Sequence, residues 1–376
     1  MSFFRFEIIH QSTKSRARVG RIHTPHGIID TPNFVAVGTN GTLKTIDNCT
    51  VTELGLQLMF CNTYHLIIHP GPETIALAGG LHKFINRPLP LITDSGGFQV
   101  FSLAYGTVKD ELKSKGLKKN NPAVLKVTEE GVLFRSYRDG SPLLLTPETS
   151  IQAQKAFGAD IIIPLDELPP YHIHDLDLSK SLDRTHRWQE RSLNEHLKDR
   201  KEQAMYAVIH GGINHELRSK SSNLLSQLSF DGFAIGGSLG KNREEMVTML
   251  TTLMPQIPGD KPNHLLGIGD LPSLPQCIAL GIDTFDSSHP TRCARHGILF
   301  ADKESVNITK SCYKNLFSSP IDGCICYTCT HYSAAYIHHL FKAHEPTALT
   351  LATIHNLHFM INLMSHYRQN ILDGNI

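Results

Sequence analysis

The sequence predicts an α/β chain folded as one closed barrel of parallel strands, and three observations carry that expectation. Short apolar runs rich in strand formers recur eight times, helical stretches lie between several of them, and polar or glycine-rich signatures follow the runs at one repeated position. Apolar runs alternating with helices imply parallel strands joined by crossover helices, and eight such units suggest closure into a barrel. The chain has 376 residues, a length that barrels of this kind often use as one unit.

In chain order, the runs are 33–37, 57–61, 89–93, 160–165, 205–209, 232–235, 264–268 and 284–285. Helices are expected at 147–157, 178–199, 213–228, 243–253 and 274–280. The first three units are the least distinct, because 103–132 reads as an irregular insertion. An open doubly wound sheet is the alternative, but no glycine-rich phosphate loop follows the first run. Just after the runs stand Asn62-Thr63-Tyr64-His65, Asp94-Ser95-Gly96-Gly97, Asp166-Glu167, His210-Gly211-Gly212, Gly236-Gly237, Gly267-Ile268-Gly269 and Asp286-Ser287. A barrel builds its active site from the C-terminal ends of its strands, so these acids and glycines should converge on one mouth. One Gly-Gly pair alone is ordinary turn chemistry; the repetition at one structural position is what counts.

Composition narrows the class. With 40% hydrophobic and 19% charged residues, a soluble globular protein is expected. No run of about 18 apolar residues is present, so no membrane span is expected. The first 18 residues are polar and charged, without an apolar signal core, which points to the cytoplasm. The net charge of +1 neither requires nor excludes a nucleic-acid partner, since local patches matter more than the total. Local basic stretches stand at 109–119 and at Arg184, Arg187 and Arg191; most charge runs are solvated faces, and 109–119 reads as one or as a mobile loop.

Eight cysteines do not make an extracellular pattern. Cys49, Cys61, Cys277, Cys293 and Cys312 are scattered, whereas Cys324, Cys326 and Cys329 fall within six residues. Without a signal segment such a cluster reads as metal-binding. A structural zinc takes four nitrogen or sulfur ligands in a tetrahedron. His331, His338, His339, His344, His355 and His358 are candidates for the fourth, and the segment from Pro346 onward has the apolar spacing of a helix that could carry one. Four protein ligands leave no open position, so the metal would be structural.

Taken together, Asn62-Thr63-Tyr64-His65, Thr93-Asp94-Ser95-Gly96-Gly97-Phe98-Gln99, Asp139-Gly140-Ser141, Phe285-Asp286, the stretch from Pro290 to Gly297, and Cys324-x-Cys326-x-x-Cys329 with His355-Asn356 resemble the tRNA-guanine transglycosylase (queuine tRNA-ribosyltransferase) family, in its bacterial-type catalytic form. The likeness runs from Thr31-Pro32 to the final helix. It implies a TIM (β/α)8 barrel spanning 1–376, a zinc-binding subdomain within it at about 300–360, and one structural Zn2+ per chain with His355 as the fourth ligand. It also implies the reaction: exchange of the wobble guanine in tRNAs with a GUN anticodon (Asp, Asn, His, Tyr) for a 7-deazaguanine, 7-aminomethyl-7-deazaguanine or queuine, in queuosine biosynthesis or salvage. The implied partners are the tRNA anticodon loop, the incoming base and a second copy of the chain in a homodimer.

The residue types suit that chemistry. Breaking a nucleoside bond leaves oxocarbenium-like charge that a carboxylate can stabilise and then capture covalently. The resemblance assigns the nucleophile to Asp286 and proton handling to Asp94. Asp166 would accept from the ring N–H and amine of a guanine-like edge, and Gly237 would offer a backbone N–H. His210, Ser95, Gly96, Phe98 and Asn62 would complete the base pocket, with Arg292 and Arg295 contacting the RNA. A base in a single-stranded loop is splayed out at little cost. Each residue also has a plain reading: Asp94 as a turn cap, Asp166 as a strand-end acid, the arginines as partners of surface acids.

Three departures from the family pattern lie around the pocket: His210 in place of a glutamine, a short loop Ser238-Leu239-Gly240-Lys241 without its acid, and Leu168 in place of a cysteine. They suggest an incoming base bulkier than the aminomethyl form, with queuine the leading candidate, and a Lys241 that repels an ammonium group. A non-catalytic RNA-binding partner subunit of the same fold is the alternative function, and a zinc-dependent nucleic-acid-binding protein is a third. The presence of both Asp94 and Asp286 favours catalysis.

Overall fold

The structure, a computed structural model, describes residues 3–105 and 124–376; the basic stretch at 109–119 lies outside them. Three strands, β1 (Arg5–Gln11), β2 (Arg18–Thr24) and β3 (Gly27–Thr31), form an antiparallel sheet before the barrel begins. The barrel strands are β4 (Asn33–Val37), β5 (Met59–Cys61), β6 (Leu91–Thr93), β10 (Ile161–Ile162), β11 (Ala204–Ile209), β12 (Gly232–Ile235), β13 (Asn263–Leu265) and β14 (Thr284–Ser287). All pair in parallel in the order β10-β11-β12-β13-β14-β4-β5-β6, and β6 returns to β10 to close the ring. All eight apolar runs therefore become barrel strands.

Alternation along each strand separates two cores. In β11, Ala204, Tyr206 and Val208 join the inner cluster while Met205, Ala207 and Ile209 face the surrounding helices. Ile22 and Ile29 of the N-terminal sheet belong to the same inner cluster, so that sheet plugs the barrel floor. Local signals fix the helices. Pro147–Phe157 starts with a reciprocal Thr146–Thr149 cap and Pro147 in its first turn, and stops at Gly158 in the left-handed region. Asn214 and Asn242 cap the helices His215–Ser226 and Arg243–Leu253.

Below the barrel, Asp160 ties floor to wall. Its two oxygens take the ring nitrogens of His26 (2.8 Å) and His82 (3.1 Å) and the backbone N–H groups of His26 (3.2 Å) and Leu91 (2.8 Å). The two imidazoles lie nearly parallel with centroids 3.5 Å apart. Three such residues could hold a metal by composition. Parallel rings, however, cannot both direct an in-plane lone pair at one ion, so the group is a hydrogen-bonded clamp.

The expected insertion is partly regular. β7 (Val124–Val127), β8 (Val132–Arg135) and β9 (Pro142–Leu145) form an antiparallel sheet docked on the helix Asp175–Leu197. Glu129 binds Arg184 and Arg187, the Trp188 indole donates to the Glu129 carbonyl at 2.9 Å, and Arg191 makes a bidentate pair with Glu148. The three arginines are thus committed to folding contacts rather than left as a free basic face. A last strand pair, β15 (Ile298–Leu299) with β16 (Val306–Asn307), leads to the cysteine cluster and to the long helix Pro346–Leu372.

Candidate active site and metal cluster

Asp94 follows β6 at the barrel mouth, and the loops around it close on its carboxylate. Oδ1 accepts from the backbone N–H of Thr63 (2.7 Å) and Gly96 (3.2 Å), and Oδ2 from the side-chain amides of Asn62 (2.7 Å) and Gln99 (2.8 Å). Gly96 can make this contact because its φ is +85°, and any side chain there would meet the Thr63–Tyr64 backbone, 3.1 Å from the Tyr64 nitrogen. Burial pushes the Asp94 carboxyl up to about 6, against those four hydrogen bonds, which pull it down. So Asn62 and Gly96, expected in the base pocket, serve Asp94 here.

The second carboxylate, Asp166, stands beyond β10. Ser95 donates its hydroxyl to Oδ1 (3.1 Å), and the His210 Nε2–H meets Oδ2 at 2.7 Å. Gly237, at φ +76°, lies under the other side of the His210 ring, where a Cβ would sit 2.7 Å from Nδ1. Asp166, His210, Ser95 and Gly237 are therefore brought together as expected. Phe98 is 52% exposed at the rim, an open aromatic face beside them in sequence. Arg218, fully buried and pushed down to about 9 by desolvation, donates to the carbonyls of Ile209, Gly212 and Ser238, so one guanidinium buckles the two loops after β11 and β12. Behind His210 opens a cavity of about 300 Å³ lined among others by Glu167, Tyr171, Leu178, Ser181 and Ser238. Ser181 lines it with its hydroxyl turned into the protein, where it has no hydrogen-bond partner among the described residues. Leu168, the third departure, packs against the apolar cluster that includes Trp188 and Phe134.

The structure corrects one expectation about the short loop. Its acid is supplied from outside: Glu245, on the helix Arg243–Leu253, binds the Lys241 ammonium at 2.8 Å, the Lys241 N–H at 3.0 Å and the Tyr171 hydroxyl at 3.0 Å. Lys241 is thereby neutralised rather than free to repel a cation.

Asp286, in β14, is held differently from Asp94. Its Oδ1 takes the Gly267 N–H (2.7 Å) and the His264 Nε2 (3.1 Å), while Oδ2 receives no hydrogen bond among the described residues. Two residues on, Ser288 opens the helix His289–Arg295. Arg292 on that helix is exposed and Arg295 half-buried; neither meets a carboxylate among the described residues.

Cys324, Cys326, Cys329 and His355 converge although the histidine comes from a distant helix. The three Sγ atoms lie 3.6, 3.4 and 3.4 Å from His355 Nδ1. His355 Nε2 meets the Phe300 carbonyl at 2.8 Å, which keeps its proton there and leaves Nδ1 bare. A tetrahedral zinc with its usual bonds would give a sulfur–nitrogen edge of about 3.5 Å, so the donor set fits that ion. The set could hold a metal, and it selects His355 from the histidines the sequence left open.

Residues missed by sequence reasoning are Thr63, Gln99, Gly267 and His264. The first three lie inside motifs already singled out, where the pattern names neighbours but not which atom donates. His264 carries no local signal at all.

The family model described as queuine tRNA-ribosyltransferase matches residues 12–376. The chain is 66% identical over 371 residues to a queuine tRNA-ribosyltransferase of Protochlamydia amoebophila, covering 99% of this chain and 96% of that one. Identity is 54% over 373 residues to that of Chlamydia caviae and 51% over 373 residues to that of Chlamydia trachomatis serovar D, with 99% of both chains covered in each case. A match over nearly the whole length places this chain in the queuine tRNA-ribosyltransferase family of tRNA-guanine transglycosylases, which are pentosyltransferases.

Proposed function

We propose that the chain exchanges the wobble guanine of GUN-anticodon tRNAs for a 7-deazaguanine through a covalent ribosyl-aspartate at Asp286. The observation that carries this reading is the contrast between two carboxylates at one mouth. Asp94 has both oxygens held by donors and a carboxyl raised to about 6, so that it takes up a proton when a side-chain amide, Asn62 or Gln99, turns away; Asp286 has one oxygen held and the other without a donor among the described residues. A nucleophile needs a free lone pair, and a proton shuttle needs a titration point near the working pH.

In the first half-reaction Asp286 Oδ2 bonds to the ribose anomeric carbon as the bond to guanine breaks, and guanine takes the electron pair and a proton from Asp94. In the second, Asp94 recovers a proton from the incoming base, whose nitrogen displaces Asp286 and regenerates the carboxylate. Asp166 and His210 present an acceptor and a fixed ring to the base edge, Gly237 an N–H, and Phe98 an aromatic face; Arg292 and Arg295 face the RNA. A zinc held by Cys324, Cys326, Cys329 and His355 would supply structure only. The subdomain at 300–360 is supported by its own apolar cluster, including Leu299, Ile308, Ile337, Leu340 and Leu351. Protein incubated with tRNA, then denatured, should retain a cross-linked species, and Asp286→Asn should abolish it while keeping the wild-type fold. A persistent adduct in that variant would end the assignment.

The leading candidate for the base remains queuine. The support is now spatial: the cavity behind His210 gives room beside the pocket. Pocket discrimination of this kind is about 10- to 200-fold. Comparing kcat/KM for queuine and 7-aminomethyl-7-deazaguanine on one anticodon substrate decides it, with a preference for the smaller base counting against.

A further inference from the structure

We infer that His264 is a positioning residue whose Nε2–H decides how quickly the ribosyl-aspartate breaks down; this rests on Asp286 being the nucleophile. His264 is completely buried in β13, with Phe60 stacked at a centroid distance of 6.0 Å. Its Nδ1 lies 2.8 Å from Thr284 Oγ1 and its Nε2 3.1 Å from Asp286 Oδ1. The proton on Nε2 follows from that geometry. Against an ionised carboxylate Nε2 must donate, whether Thr284 gives its own proton to Nδ1 or gives it to the Asn263 carbonyl at 3.1 Å. Together with the Gly267 N–H, His264 therefore fastens Oδ1 and leaves Oδ2 to make the bond to ribose.

The two donors do more than aim the carboxylate. Hydrogen bonds to a carboxylate are stronger than those to an ester carbonyl. When the ester forms, Oδ1 becomes its carbonyl oxygen and both bonds weaken. When the incoming base attacks, the electron pair of the breaking bond returns to the carboxylate, and both bonds strengthen. The donors thus favour the departure of aspartate over its attack, and the second half-reaction gains most from them. Nothing else among the described residues donates to this carboxylate.

Replacing His264 by phenylalanine keeps the ring and removes the donor. In His264→Phe, breakdown should slow about 10- to 100-fold, the range of one hydrogen bond to a charged group. The adduct trapped on denaturation during turnover should rise above the wild-type fraction, with kcat/KM for tRNA not lowered, because that ratio reports only the first half-reaction. His264→Gln, which can place an amide N–H near the same point, should restore most of the lost kcat. A residue that only supports the fold would lower adduct formation and breakdown together and would not be rescued. Should His264→Phe not fold, Thr284→Val, which frees the ring from its second anchor, should move the trapped fraction the same way by a smaller factor. The inference is overturned if the trapped fraction stays at or below the wild-type value in the folded variant, or if the glutamine gives no rescue. Absence of any adduct in the wild-type protein, or its survival in Asp286→Asn, would instead overturn the nucleophile assignment beneath it.

Discussion

At the scale of single residues, Asp94 makes the sharpest claim, because its carboxyl is pushed up to about 6 by burial. It must start the first half-reaction protonated and the second ionised. The two halves should therefore report opposite limbs: kcat/KM for tRNA falling as pH rises through about 6, and kcat/KM for the incoming base falling as pH drops through it. Asp94→Asn should lower turnover by about 10²- to 10⁴-fold and flatten both limbs; steady-state kinetics across pH 5–8 on each substrate would show it, and an unchanged profile would dismiss Asp94 as the shuttle. Asp94, Asp166 and Asp286 were legible in the sequence because each ends an apolar run inside a recognisable motif. His264 was not, since the atom it serves is 22 residues away and becomes its neighbour only when β13 and β14 pair. Lys241 misled for a similar reason: its charge was visible, but its partner Glu245 comes from the next helix.

Elements carry the stability predictions. The cysteine cluster joins two pieces of chain, the short helix Tyr327–His331 and the helix Pro346–Leu372, so metal binding is coupled to their docking. One zinc per chain is expected by elemental analysis, and Cys326→Ala and His355→Ala should lose it and melt the subdomain first. Full metal retention in both would remove the site. The floor clamp should give a pH signature. Burial alone would raise the Asp160 carboxyl, but hydrogen bonds from His26, His82 and the Leu91 N–H hold it well below the usual range, and the same contact raises His26. A depressed acid stabilises above its unfolded value, about 3.9, and a raised histidine does so below about 6.5. The clamp is therefore strongest between those limits and weakens as pH falls below the first or rises past the second. Asp160→Asn should cost about 2–4 kcal/mol within that window, read by denaturant unfolding, and a penalty that does not vary with pH would contradict the clamp. The sheets β1–β3 and β7–β9 escaped the sequence reading because half-exposed strands such as Arg5–Gln11 show no continuous apolar run, whereas barrel strands, covered on both faces, do.

For the whole molecule, the barrel was legible as eight runs, though their lengths were not. The run at 160–165 yields only Ile161–Ile162 as ladder, because pairing requires both neighbours in register while burial does not. No described helix is long and apolar enough to cross a membrane. Beyond one chain, Phe317 (79% exposed), Ile325 (77%), Tyr327 and Tyr336 set large apolar side chains on the outside of the segment that carries the cysteine cluster, and we propose this face as the one a homodimer would cover. Sedimentation should give twice the chain mass, and Phe317→Glu with Ile325→Glu should shift it toward the monomer; a monomeric wild type at micromolar concentration would refute the dimer.

The closing seam of the barrel has a consequence for the chain's birth. β4 pairs on one side with β14, and the final helix lies across that joint, its Arg368 reaching the carbonyl of Pro32. A ribosome makes β4 long before β14 and the helix that covers them, at about 5–20 residues per second. Until β14 has been made, β4 therefore waits with one edge bare, and the helix can cover the joint only later still. A messenger truncated within that helix would yield a protein holding every catalytic carboxylate in a ring whose seam lacks its cover.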